Sequence, residues 1–213
     1  RLGWSSLCWV AGTALRQTYR NKEYPLNPLN TAELIAIWAT TAGWYRPAVN
    51  RAQMNLLDSH DVPRALHTLS GNTAALKLAL LLLFLQPGAP CVYYGTEAGL
   101  AGGPDGKFAT GPGPACREAF PWDEPWAVNL RPWITELTTL RRSYAALRDG
   151  AKQWTGIGDD GLLGSFADLQ VLINRSVETA LPIDQTKQVI WSSTGGADLR
   201  ELSPQAACLQ RLG

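Results

Sequence analysis

The chain has 213 residues and carries 19 Lys and Arg against 18 Asp and Glu, so its formal charge is close to zero. It has no basic excess or clustered patch of the kind that nucleic acid or an acidic membrane surface would require. Its four cysteines (Cys8, Cys91, Cys116, Cys208) are scattered, there is no CxxC pair and only two histidines occur. A zinc centre is therefore not expected, and reduced structural thiols in a cytoplasmic protein are.

The opening fifteen residues, RLGWSSLCWVAGTAL, are apolar but too short and interrupted for a signal peptide or a membrane span. They read as a segment already inside a fold. Residues 31–41 predict a helix with Thr31 as its cap and Gly43 just past its end. Residues 52–57, AQMNLL, carry adjacent apolar side chains and predict a short buried strand. A buried helix follows over 72–85 and stops at Pro87-Gly88. Its LALLLLFL run is well short of the roughly 18 residues of a span. Residues 89–95, APCVYYG, predict a second buried strand. A Gly/Pro-rich loop spans 99–114. Residues 130–147 then predict a single helix, with Ile134, Leu137, Leu140, Tyr144 and Leu147 on one buried face.

Beyond Gly150 the segments shorten to LLGSFAD, LQVLINRS, ALPID, QVIWSS and AACLQRL, the pattern of a small antiparallel sheet. We therefore place a domain boundary at 149–151. Residues 1–150 are α/β with parallel strands, and 151–213 are all-β. In parallel α/β folds chemistry gathers at the C-terminal ends of strands. Two polar stretches occupy that position: Asp58-Ser59-His60-Asp61 after the first strand, and Gly95-Thr96-Glu97 after the second. A carboxylate there can support charge developing on a substrate, and the imidazole can donate to a hydroxyl. The same residues also suit a purely architectural role, with Asp58 or Ser59 capping the next helix and Asp61 pairing with Arg64. The nine tryptophans suit core packing ring by ring and, as a set, the covering of sugars or small apolar ligands.

The segment NLLDSHDVPR resembles the one that follows the seventh barrel strand in the α-amylase family, glycoside hydrolase family 13. QPGAPCVYYGTEAGLAGGPD resembles the eighth-strand segment, PGxPxxYYGDExG. PACREAFPWDE is similar to the DPxCRxxxPW stretch of the neopullulanase, cyclomaltodextrinase and maltogenic amylase branch, and WITELTTLRRSYAALRDG to the last barrel helix. VLINRS stands where a VxxNxS strand is common. The resemblance runs from about residue 48 to 174 and is weaker on both sides.

This resemblance implies the C-terminal part of a (β/α)8 TIM barrel followed by a small antiparallel β-sandwich. It implies α-glucan hydrolysis, with maltooligosaccharides or cyclodextrins as substrate. Asp61 would be the carboxylate that stabilises the transition state, and His60, Arg64 and Glu97 would bind substrate. No cofactor or metal is implied for this chain, because the calcium sites of many relatives would lie on earlier barrel units. Retaining glycosidases need two carboxylates about 5 Å apart, one nucleophile and one acid/base. The family's GxRxD nucleophile segment and strand-five Glu do not occur in these residues. The expectation is therefore a truncated C-terminal portion that does not hydrolyse glucans on its own. The alternative is a non-catalytic glucan-binding or remnant protein with an interaction role. Homo-oligomerisation is a further expectation, with Trp122, Trp126 and Trp133 as surface anchors. Two departures stand out: Thr96 replaces the acid of YYGDE, and residues 106–113 interrupt two segments that normally run together.

Overall fold

A computed structural model describes residues 2–16, 26–102, 114–123, 125–126, 128–151, 153–196 and 198–212. The interruption expected at 106–113 lies outside them. The first half contains helices α1 (Leu2–Ala11), α2 (Thr31–Gly43), α3 (Pro47–Ala52), α4 (Ala65–Thr68), α5 (Thr73–Leu85) and α6 (Arg131–Ser143) around strands β1 (Met54–Asn55) and β2 (Ala89–Pro90). The second half contains β3 (Gln153–Ile157), β4 (Gly161–Phe166), β5 (Leu169–Asn174), β6 (Leu181–Pro182), β7 (Gln188–Ser192), β8 (Glu201–Leu202) and β9 (Ala206–Arg211).

The leading apolar segment is a helix. Seven of the ten α1 residues are buried, and α1 packs on α5 and α2. An apolar sequence on every side carries no helical stripe, which is why periodicity does not reveal it. Its approach to the chain leaving β1 depends on Gly3, where a Cβ would lie 2.0 Å from the Leu56 carbonyl oxygen.

The cap of α2 is Asn30, not Thr31. The Asn30 side chain accepts from the Glu33 amide, and the Glu33 carboxylate accepts from the Asn30 amide, both at 2.9 Å. Thr31 is engaged elsewhere: its hydroxyl donates to the Asp159 carbonyl at 2.6 Å and accepts from Trp9 Nε1 at 3.0 Å. Gly43 lies inside the helix. Helix α5 is capped by Asn72, which accepts from the Ala75 amide at 3.0 Å. Nearly every residue after its first turn is buried, since α1, α4, α6 and the β-sheet surround it.

Both parallel strands are far shorter than expected. Met54–Asn55 pairs in parallel with Ala89–Pro90 and nothing more. Helix α3, begun by Pro47, keeps the chain helical up to Ala52. Turn hydrogen bonds Thr96 N–H to Tyr93 O and Leu100 N–H to Gly95 O redirect it soon after β2. The single helix expected over 130–147 breaks at Tyr144, which is extended (φ −118°, ψ 100°), and a 3-10 turn follows at Ala145–Arg148. Arg141 causes the break. Its guanidinium donates to the carbonyls of Phe84, Gln86, Gly88 and Leu147, drawing the following chain over the end of α5. Trp133, expected at the surface, is buried, with Nε1 donating to the Lys77 carbonyl at 3.0 Å.

The tail forms an antiparallel sheet in the order β3-β4-β5-β9-β7, with a β6-β8 ribbon. Alternation along β5 and β9 sorts the two faces. Val171, Ile173, Ala207 and Leu209 join the core shared with the helices. Leu172, Ala206 and Cys208 meet Ile183, Val189 and Leu202 on the other face. Asn174, at the end of VLIN, ties β5 to the ribbon by donating to the carbonyls of Thr179 and Ser203 at 2.8 and 3.1 Å. One core thus runs across the boundary expected at 149–151. Arg175 reinforces it, bonding Asp160 at 2.8 Å and the carbonyls of Leu29 and Trp9.

Candidate active site

The loops leaving β1 and β2 lie side by side because the strands are parallel. Ser59 and Val62 close a turn with an antiparallel bridge, and His60 and Asp61 occupy its corners. His60 Nε2 lies 3.0 Å from Asp61 Oδ2, and the two side chains are 60% and 52% exposed. Arg117 reaches the other Asp61 oxygen at 3.6 Å. The pair therefore faces solvent at the C-terminal end of the strand. A carboxylate with an imidazole and a guanidinium beside it can accept from a hydroxyl while the imidazole donates to another.

Beneath the turn is a buried polar layer. Asp58 is 2% exposed. Its Oδ2 accepts the Ala65 amide at 2.8 Å, and Thr96 Oγ1 donates to the same carboxylate at 3.2–3.3 Å. The Asp58 carboxylate thus satisfies the first N–H of α4, the capping role considered for it. Burial raises its pKa; the Ala65 hydrogen bond, the Arg64 charge and the Thr96 hydroxyl oppose that rise.

Arg64 is 1% exposed. It turns inward, its Nη1 donating to the Tyr94 carbonyl, with the guanidinium 4.5 Å from the Tyr93 ring centre and 4.9 Å from that of Tyr94. A group so placed does not reach a ligand at the surface. Its connection to the turn is through position, one residue before the N–H that Asp58 holds. Its Nε and Nη2 have no acceptor among the described residues.

Glu97 points elsewhere. The residue lines a groove of about 680 Å³ with Val92, Tyr94, Phe120, Trp122 and Trp126. Glu97 Oε2 is buried without a partner among the described residues. Trp122 is 82% exposed and tilts over Phe120, with ring centres 4.5 Å apart. Trp126 is half-buried, with Nε1 on the Pro121 carbonyl. Tyr94 is the wall common to both places, since its carbonyl is held by Arg64, its ring lines the groove and its hydroxyl donates to Glu118 O at 2.9 Å. The structure thus unites His60, Asp61 and Arg117, sets Asp58, Arg64 and Thr96 below them, and leaves Glu97 in the neighbouring groove. Arg117 had no signal in spacing, lying 56 residues after Asp61. Among the described residues no cluster of three or more His, Cys, Asp or Glu could hold a metal ion.

The family described as alpha amylase, catalytic domain, matches residues 12–145. The chain is 37% identical over 150 residues to a cyclomaltodextrinase of Geobacillus thermopakistaniensis, covering 66% of this chain and 24% of that protein. It is 33% identical over 129 residues to the intracellular maltogenic amylase of Bacillus subtilis, covering 58% of this chain and 21% of the relative. The crystal structure of Ttha1563 from Thermus thermophilus superposes with a TM-score of 0.83 at 31% identity, over 100% of this chain and 47% of that one. A tail-bearing α/β fold with an Asp–His pair at a strand end, matched by this family over more than half its length, belongs to the α-amylase family. Within it, the chain falls in the branch of cyclomaltodextrinases, maltogenic amylases and neopullulanases. It spans about a quarter of the length of the curated relatives it matches and about half that of the solved structure.

Proposed function

We propose that this chain is the C-terminal portion of a glycoside hydrolase acting on α-1,4-glucans such as maltooligosaccharides or cyclodextrins. The exposed His60–Asp61 pair, held on a turn at a strand end, carries the reading. Asp61 accepts from the hydroxyls of the sugar at the cleavage point and favours its oxocarbenium-like form. His60 donates to the same sugar. Hydrogen bonds that strengthen as positive charge develops lower the barrier by several kcal/mol. The nucleophile and the general acid come from polypeptide outside these residues, so the chain alone does not hydrolyse glucans. Arg64 supports the site from below rather than touching sugar, and Glu97 meets ligand only where it extends into the groove.

On this reading residues 1–150 are barrel and 151–213 a β-sandwich, with the β6-β8 ribbon belonging to its second layer. No described helix is long and apolar enough to cross a membrane. The name of the Bacillus subtilis relative supports a cytoplasmic location. Trp122 is the ring exposed enough to anchor a second copy; Trp133 is not. The test is chromatographic analysis of maltotriose incubated with the purified chain. No product above background is expected. Turnover that disappears in Asp61→Asn would overturn the assignment of the missing carboxylates.

A further inference from the structure

Two tyrosine hydroxyls meet the backbone on either side of Arg117. Tyr93 Oη donates to the Cys116 carbonyl at 3.1 Å, and Tyr94 Oη donates to the Glu118 carbonyl at 2.9 Å. Those carbonyls bracket the residue whose guanidinium reaches Asp61 Oδ1 at 3.6 Å. Arg117 ends a 3-10 turn, Pro114–Arg117, and lies far from Asp61 along the chain. One hydrogen bond would hold the turn at a point. Two, on successive sides of one residue, also fix the direction of the backbone through it.

Both members of the Arg117–Asp61 pair hang from one anchor. The buried Arg64 ends the short segment that carries Asp61, and its guanidinium lies 4.5 Å from the Tyr93 ring centre and 4.9 Å from that of Tyr94. Its Nη1 also holds the Tyr94 carbonyl, and the Tyr93 carbonyl accepts the Thr96 amide at 3.2 Å. The two rings meet edge-on, with centres 4.7 Å apart. Both tyrosines are thus fixed at the backbone and at the ring, and their hydroxyls form the ends of a rigid bracket. Burial, and after it the hydrogen bond with Tyr94, push the Tyr93 phenol up to about 12. It therefore stays protonated and able to donate across the ordinary pH range.

The bracket matters because the contact it serves is weak alone. The Arg117 and Asp61 side chains are both about half exposed, and an ion pair of that kind gains little in water while losing side-chain entropy. Setting the backbone of one partner beforehand removes part of that loss. Asp61 then has His60 Nε2 beside Oδ2 and Arg117 beside Oδ1, which fixes the plane of its carboxylate. We propose that Tyr93 and Tyr94 are positioning residues, setting Arg117 so that it orients the Asp61 carboxylate toward a sugar hydroxyl. That orienting role rests on the sugar-binding reading above; the bracket itself rests on the two hydrogen bonds.

The test is NMR of the Arg117 guanidinium in the full chain, its signal assigned by its absence in Arg117→Lys. In the native chain Asp61→Asn is expected to move that signal. Replacing Tyr93→Phe and Tyr94→Phe together keeps both rings on Arg64 and removes only the hydroxyls. In that background the Arg117 signal no longer responds to Asp61→Asn. Maltotriose binding, read at the His60 imidazole, weakens about threefold to tenfold with the two tyrosine changes and equally with Arg117→Met. Combining all three adds nothing further. An Arg117 signal that senses Asp61→Asn as strongly without the hydroxyls as with them overturns the proposal. So does a loss of affinity from the tyrosine changes that persists in full on top of Arg117→Met. If the Arg117 signal behaves as expected while His60 ignores maltotriose, the bracket stands and the sugar-binding reading fails.

Discussion

The Asp58 carboxylate accepts the backbone N–H of Ala65, seven residues ahead, at 2.8 Å. One buried hydrogen bond thereby closes the loop that presents His60 and Asp61. Asp58→Ala leaves the Ala65 N–H unpaired and buried, and is expected to cost about 1–3 kcal/mol. Asp58→Asn keeps an oxygen for that N–H and is expected to cost less. Urea denaturation of the two variants measures the difference.

The same carboxylate sets a pH dependence. Burial raises its pKa above the ordinary value of 3.8. The folded protein then binds this proton more readily than the unfolded chain, so the contribution is fully present below the ordinary value. It is lost as pH rises through the folded value. Relative to Asp58→Asn, the native protein is expected to lose stability as pH is raised through that window. Thermal unfolding of both proteins across a pH series checks the sign.

Arg64 is the cation that offsets Asp58 in a place neither shares with water. Arg64→Met removes that charge and the hydrogen bond to the Tyr94 carbonyl, with an expected cost of about 1–3 kcal/mol. Adding Asp58→Asn to Arg64→Met is expected to restore part of that loss, because the stranded charge is then gone. A double-mutant cycle reads the coupling directly. Purely additive costs would mean that Arg64 stabilises only through Tyr93 and Tyr94.

Two glycines are expected to behave oppositely. Gly3→Ala drives a methyl into the Leu56 carbonyl and should cost about 1–3 kcal/mol. Gly43, inside α2, has nothing within 4 Å of its would-be Cβ. Gly43→Ala should therefore stabilise by about 0.4–1 kcal/mol through the unfolded chain. Melting curves of the two variants should shift in opposite directions.

All four cysteines are free thiols, and burial pushes Cys8 and Cys208 up to about 11. The thiolate is the reactive form. In the folded protein Cys91, the one that is not fully buried, is expected to react with iodoacetamide first, with Cys8 and Cys208 following only on unfolding. Peptide mapping of labelled protein before and after denaturation distinguishes them.

Much of this architecture is legible in the residues. The LALLLLFL run declares a helix buried on all sides, and the alternation in LQVLIN declares a strand with two packed faces. The DSHD stretch declares a polar strand end. What is not legible depends on partners distant in sequence. Strand β1 shrinks to two residues because its ladder length is set by β2, over thirty residues away. Thr31 cedes the cap to Asn30 because Asp159 and Trp9 claim its hydroxyl. Trp133 reads as exposed until the Lys77 carbonyl is brought beneath it. Thr96, noted as a departure from YYGDE, holds Asp58 across 38 residues. Arg64, which the resemblance implies as substrate-binding, lies in the core because Tyr94 O receives it.

The central claim is that His60 and Asp61 form a sugar-binding subsite on this chain. With only two histidines, the imidazole NMR signals of His60 and the buried His67 serve as probe and internal control. Titration with maltotriose is expected to shift the His60 signals saturably, leave His67 in place, and lose most of the effect in Asp61→Asn. A folded chain whose His60 signals ignore maltotriose would contradict the account.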